Sequence, residues 1–264
     1  MSSNIHIFNY LKYSDQLENK DQVVDFLLSQ ILFKNNINKT ILSKHQLKSI
    51  IESSIGEGII PQTNNSTASE TILEDSINKL IPILSTHYTL KKELNIYLLP
   101  FFPSQSDNSF EGVTGTAVNT SNIFMFVSNN SFSLKAFEET LVHEFNHLMY
   151  YDTHHDDWTN FTVFEHCIME GFAELFREEL VGGAPAPWSI ALSEQDAVSL
   201  VKEIGTKLDD VDEVYRKDLM FGGTRFEKWS GYSLGYWLVH RAKTNNPNLS
   251  WEELMSKNRI FYTK

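Results

Sequence analysis

Five consecutive residues, His143-Glu144-Phe145-Asn146-His147, carry the strongest chemical signal in the chain. Histidines four apart lie one above the other on a helix, with roughly 5–6 Å between their Cβ atoms. Each can therefore aim a ring nitrogen at one metal ion about 2.0–2.1 Å away. Glu144 stands one residue round the helix, within reach of a water on the metal but poorly placed to bind the ion itself. A carboxylate there takes the water's proton as the metal acidifies it. The spacing His-Glu-x-x-His thus offers two ligands and a base within one helical turn and a half. The competing reading is two structural histidines on an amphipathic helix.

The third ligand decides the class. The metzincin pattern wants glycine three residues after the second histidine and a third histidine three beyond that. Tyr150 and Thr153 occupy those places, so that pattern is excluded. Downstream, a second helical run holds Cys167-Ile-Met-Glu170-Gly171-Phe-Ala173-Glu174, with the two glutamates four apart on one face. If the stretch from Tyr151 to Asn160 turns the chain back antiparallel, Glu170 completes a His2Glu set and leaves a fourth position open, as catalytic zinc sites do. Glu174 then accepts a hydrogen bond from the far nitrogen of a ligand histidine. Gly171 and Ala173 are expected to let this helix approach the histidine helix closely. The plainer alternative is a solvated helix face.

The arrangement resembles the gluzincin metallopeptidases, in which a His-Glu-x-x-His helix is followed by a helix of the form Glu-Gly-x-Ala-Glu. Further on, Phe221-Gly-Gly and then Trp229-Ser-Gly231-Tyr232-Ser-Leu-Gly235-Tyr236-Trp-Leu-Val-His240 resemble the Gly-Tyr-x-x-Gly-Tyr block of the YjaZ-like predicted zinc-dependent proteases. Gly115-Thr-Ala and Asn122-Ile-Phe-Met are similar to the strand that family places before its metal helix. The likeness covers roughly residues 90 to 260. It implies a thermolysin-like core with a small sheet packed on the His-Glu-x-x-His helix. It further implies one zinc per chain and a peptide aligned along Ile123, Phe124 and Met125, if that strand is an edge. It also implies a tyrosine or histidine that donates to the oxyanion. Tyr232, Tyr236 and His240 recur every four residues and so share a helix face, with Ser230 as N-cap. Either tyrosine fits the role.

The elements that must position these residues are legible in outline. Apolar spacing predicts helices at 22–34, 40–55 and 69–83, the last turning Ile72, Ile77, Leu80 and Ile81 inward. Strands are predicted at Leu94–Pro100 and Asn122–Ser128, with a long loop from Phe102 to Thr120 between them. Helices follow at 135–151, 162–180, 193–208, 231–245 and 250–258. The fold class is therefore α+β, mostly helical with a small mixed sheet. The organisation expected is a helical region 1–90 of unassigned role and a catalytic region 91–264.

Composition bounds the function. The chain has 264 residues, 41% hydrophobic and 21% charged, within the range of ordinary globular proteins. With 22 basic and 34 acidic residues the net charge is -12, which gives no footprint for nucleic acid and disfavours an anionic membrane surface. No run of eighteen apolar residues occurs, and the first residues lack the basic-then-apolar pattern of a signal peptide. A single cysteine, Cys167, suits a reducing compartment, so the location expected is cytoplasmic, with Cys167 a small buried apolar residue. His166 reads as a core histidine, and His154, His155, Asp152, Asp156 and Asp157 as a solvated turn. The function expected is zinc-dependent hydrolysis of peptides or proteins with Glu144 as base. The alternative is a catalytically silent, zinc-stabilised peptide-binding or chaperone-like protein.

Overall fold

The computed structural model describes residues 5–11, 19–35, 44–56, 66–102, 111–128, 132–154 and 160–263. They divide into two compact units, one of residues 1–83 with 91–141, the other of 84–90 with 142–264. Among the described residues no helix is long and apolar enough to cross a membrane.

Among the described residues the first unit is built on a four-stranded sheet of order β1-β2-β4-β3, with β1 at Ile5–Asn9, β2 at Leu94–Pro100, β3 at Val113–Asn119 and β4 at Asn122–Val127. β1, β2 and β4 run parallel, and β3 returns antiparallel to β4. The sheet is thus small and mixed, as expected. β4 is buried at every position, the signature of a central strand covered on both faces. That corrects the expectation of a substrate-aligning edge. Ile123, Phe124 and Met125 are fully buried, and their main chain is bonded to β2 on one side and β3 on the other. No peptide can add a strand there, and the edges are β1 and β3. β3 occupies part of what reads as a loop, because its Thr, Gly and Asn content resembles turn chemistry. β1 is short and half exposed, too brief for an alternation to register.

Helices α1 at Lys20–Asn35, α2 at Lys44–Ser54 and α3 at Ser66–His87 match the predicted stretches within a few residues. On α3 the inward face is Leu73, Ile77 and Ile81, whereas Ile72 is exposed, one position from where the spacing puts it. β1 is hydrogen-bonded to β2, which lies beyond residue 90 in the chain.

The unit boundary falls within α4, Leu134–Thr153. The second unit continues with α5 at Val163–Val181, α6 at Glu194–Ile204 and a 3-10 turn at Gly205–Asp209. Then come α7 at Glu213–Phe221, α8 at Ser230–Asn245, α9 at Trp251–Met255 and α10 at Arg259–Thr263. α7 is absent from the sequence reading, because its nine residues are too few and too charged to show a period. α5 starts on a capping box in which Thr162 and Glu165 satisfy each other's backbone donors.

α5 and α8 meet through glycines. A Cβ added to Gly171 would lie 2.2 Å from the carbonyl of Gly235, and one on Gly235 would lie 1.7 Å from the Cys167 carbonyl oxygen. Gly171 therefore opens α5 to α8, and not to α4 as its spacing suggests. Gly235→Ala should cost stability near the top of the about 1–3 kcal/mol range for overpacking, because backbone must move to admit the methyl. Thermal unfolding checks this, and an unchanged Tm would contradict the packing. Ser230 is not the cap of α8 but its first residue. Its hydroxyl donates to the Glu227 carbonyl at 2.8 Å, while Trp229, in the left-handed region at φ 70, precedes the helix.

Candidate metal centre

α4 carries His143, Glu144 and His147 side by side, with ligand atoms of all three within 4.8 Å of one another. The imidazole rings lie 4.5 Å apart and perpendicular. α5 brings Glu170 to the same point: its Oε2 lies 3.4 Å from His143 Nε2 and 3.6 Å from His147 Nε2. These separations are long for hydrogen bonds. They are close to the ~3.3–3.4 Å expected between two ligand atoms that share a tetrahedral zinc at about 2.0–2.1 Å. Two carboxylates thus border the histidine pair. Glu170 approaches both Nε2 atoms at once, whereas Glu144 sits on the helix one residue beyond His143. The donor set of two imidazoles and one carboxylate fits zinc in chemistry and spacing.

The electrostatics favour a cation at that point. Burial pushes the imidazolium of His143 down, but the hydrogen-bonding and charged Glu170 and Glu174 outweigh it and hold the group well above its ordinary value. Burial likewise disfavours the charged form of Glu170, yet the adjacent His147 and His143 bring its carboxyl below the usual range. His147 goes the other way. Burial, with His143 and His166 adding to it, pushes it down to about 4, so its ring is neutral at neutral pH with a lone pair available. A metal cation would take the place of the His143 Nε2 proton beside Glu170 and release that proton on binding, leaving the Nδ1 bond to Glu174 in place.

Around this point the sequence reading finds some partners and misses others. Glu174 takes a hydrogen bond from His143 Nδ1 at 2.9 Å. Three further neighbours carried no motif: Arg177, whose Nε lies 3.2 Å from Glu174 Oε2; Trp188, whose indole N–H reaches Glu174 Oε1 at 2.9 Å; and Tyr151, stacked over His147 with ring centroids 6.5 Å apart. Arg177 was discoverable as the i,i+3 partner of Glu174. By contrast, His147 Nδ1 and both amide atoms of Asn146 are buried without a hydrogen-bond partner among the described residues.

The two tyrosines of α8 separate. Tyr232 is part-buried, and its phenol is held protonated by burial and then by the charges of Glu170, Glu144 and Glu174. The Phe221 ring packs edge-on against it at 6.1 Å. Tyr236 instead donates its hydroxyl to Glu178 Oε2 at 3.1 Å and stacks on His240. Cys167 is fully buried beside Met220 Sδ at 3.8 Å, its thiol pushed up by burial, as a small apolar residue would be. Asp152 accepts the Tyr88 hydroxyl at 2.5 Å, and His154 Nδ1 donates to the Tyr150 carbonyl at 2.8 Å; residues 155–157 of the expected polar turn lie outside the described residues.

His166 packs edge-on against Phe161, and burial with the nearby Arg216 pushes it down to about 4. An unfolded histidine takes up its proton near pH 6.5. As pH falls from about 6.5 to 4 the unfolded state gains that proton and the folded state does not, so stability declines over that window. In metal-free protein, His166→Asn should flatten this decline by up to about 3 kcal/mol. Denaturant midpoints at pH 7 and pH 4.5 measure it, and identical slopes for both proteins would contradict the buried neutral ring.

A protein-family model described as "Predicted Zn-dependent protease (DUF2268)" matches residues 73–259, a span that holds all of these side chains. No curated protein and no solved structure matches the chain.

Proposed function

Because the chain belongs to the family described as predicted Zn-dependent proteases, whose model spans more than half of it, we propose that it is a zinc peptidase of gluzincin type acting on peptides or proteins. The observation that carries this reading is the placement of Glu170 Oε2 between the Nε2 atoms of His143 and His147, at spacings suited to one shared ion. His143, His147 and Glu170 would hold one Zn2+ per chain. When bound, the metal supplies Lewis acidity that polarises a scissile carbonyl and acidifies water.

The remaining work falls to side chains. Glu144 is 7% exposed and flanked by both histidines on its own helix, so it can take the proton of the attacking water and pass it to the leaving amine. His147, neutral at neutral pH, serves as ligand without first giving up a proton. Tyr232 keeps its phenolic proton against the surrounding carboxylates and donates it as a hydrogen bond to the oxyanion of the tetrahedral intermediate. Glu174 orients His143 from behind. The core is read as thermolysin-like, and the single buried thiol suits action in the cytoplasm.

The test is cleavage of an unbiased peptide mixture by purified protein, followed by mass spectrometry. Cleavage that stops on chelation and returns with zinc is the expected result. Cleavage indifferent to chelation, or none with zinc bound at one equivalent, would overturn the peptidase reading.

A further inference from the structure

Glu174 is 2% exposed, and its carboxylate is fully engaged by protein donors. Oε1 faces His143 Nδ1 and the Trp188 indole N–H, each at 2.9 Å, and Oε2 faces Arg177 Nε at 3.2 Å. An indole and a guanidinium only donate. Both oxygens of Glu174 are thereby fixed in place by protein donors, Oε1 by the Trp188 indole and Oε2 by the Arg177 guanidinium. Beside the guanidinium the carboxylate accepts from His143 Nδ1–H at its remaining Oε1 site. In the neutral ring that leaves the lone pair on Nε2, the nitrogen that faces Glu170 at 3.4 Å.

The donors are themselves fixed. Arg177, its side chain 7% exposed, spans from Glu174 to the Ala184 carbonyl at 3.2 Å and to Glu178 Oε1 at 3.4 Å. The Trp188 carbonyl accepts from Ser233 Oγ at 2.9 Å, and the same hydroxyl accepts from Leu192 N at 3.0 Å, so the segment bearing the indole is pinned to α8. His147 has no equivalent, since its Nδ1 is buried without a partner. Among the described residues, His143 is thus the histidine of the pair whose far nitrogen is held by a hydrogen bond.

We infer that Arg177, assisted by Trp188, is a positioning residue of the metal site: it fixes the Glu174 carboxylate against His143 Nδ1 and so holds that ring in the orientation that turns Nε2 toward Glu170. The inference rests on the zinc-peptidase reading, and its test does not use activity. Zinc dissociation constants are measured by competition with a chromophoric chelator for wild type, Arg177→Met, Trp188→Phe, Glu174→Gln and the Arg177→Met/Glu174→Gln double variant, with metal-free Tm recorded alongside. Arg177→Met should weaken zinc about 10- to 100-fold, and Trp188→Phe should weaken it in the same direction by less. With Glu174 already changed to Gln, Arg177→Met should add less than about twofold, because its effect passes through that carboxylate.

A merely structural arginine would lower the Tm but leave the dissociation constant of the folded protein unchanged, or weaken zinc equally with and without Glu174. Either result overturns the inference. If Arg177→Met does not fold, Trp188→Phe decides, and an unchanged constant there overturns it. Wild type that binds no zinc brings down the peptidase reading and this inference together. Wild type that binds one equivalent, with unaltered variants, overturns the inference alone.

Discussion

Glu144→Gln will retain zinc and hydrolyse peptides about 100- to 10,000-fold more slowly than wild type, the span that a positioned general base contributes. Gln keeps the size and hydrogen-bonding shape of the side chain but has no site that accepts a proton at neutral pH. Zinc should survive because the three proposed ligands are His143, His147 and Glu170, with Glu170 rather than Glu144 set between both Nε2 atoms. Metal content and turnover on the same preparation check both halves. Turnover equal to wild type would remove Glu144 from the mechanism. Loss of zinc would promote it to a ligand, a role its proximity to both histidines makes the natural rival to Glu170.

Tyr232→Phe is the second large effect. Removing one oxyanion donor costs about 100- to 1,000-fold in kcat, with KM little changed, because the bond forms only as negative charge develops on the substrate oxygen. The phenyl ring preserves the contact with Phe221, so the loss is of the hydroxyl alone. Tyr236→Phe should lose less, since that hydroxyl is spent on Glu178. Steady-state kinetics on the two variants separates them. Equal kcat for Tyr232→Phe and wild type would leave the oxyanion without this donor, and a larger loss at Tyr236 would reverse the assignment.

The parts of the fold and site that could be read from sequence are those in which one local pattern suffices. The α4 and α5 boundaries follow from apolar spacing, and the His-Glu-x-x-His and Glu-Gly-x-Ala-Glu segments fix which residues share a face. β2 was found because its burial makes it a continuous apolar run. β4 was found for the same reason and then misjudged. A strand apolar at every position is covered on both faces, and Ile123 to Met125 sit between two neighbours instead of facing a ligand. β3 was lost because an edge strand tolerates the Thr, Gly and Asn that also make loops.

What sequence could not supply is the identity of partners across elements. Gly171 is small because Gly235 of α8 lies against it, a distant residue that no spacing rule on α5 can name. Tyr232 and Tyr236 share a face by periodicity, yet one feels the charges of Glu170, Glu144 and Glu174 while the other bonds Glu178, because they lie a full turn apart along the axis. Trp188 reaches Glu174 across fourteen positions, from beyond the end of α5, where no spacing rule on that helix applies.

The most direct measurement is elemental analysis of wild type, His147→Ala and Glu170→Ala, each purified without chelators or a metal-binding tag. About one zinc per chain in wild type, lost in both variants while they remain folded, is the predicted result. Wild type without metal even after zinc is supplied, or Glu170→Ala that keeps a full equivalent, would contradict a His143, His147 and Glu170 zinc site.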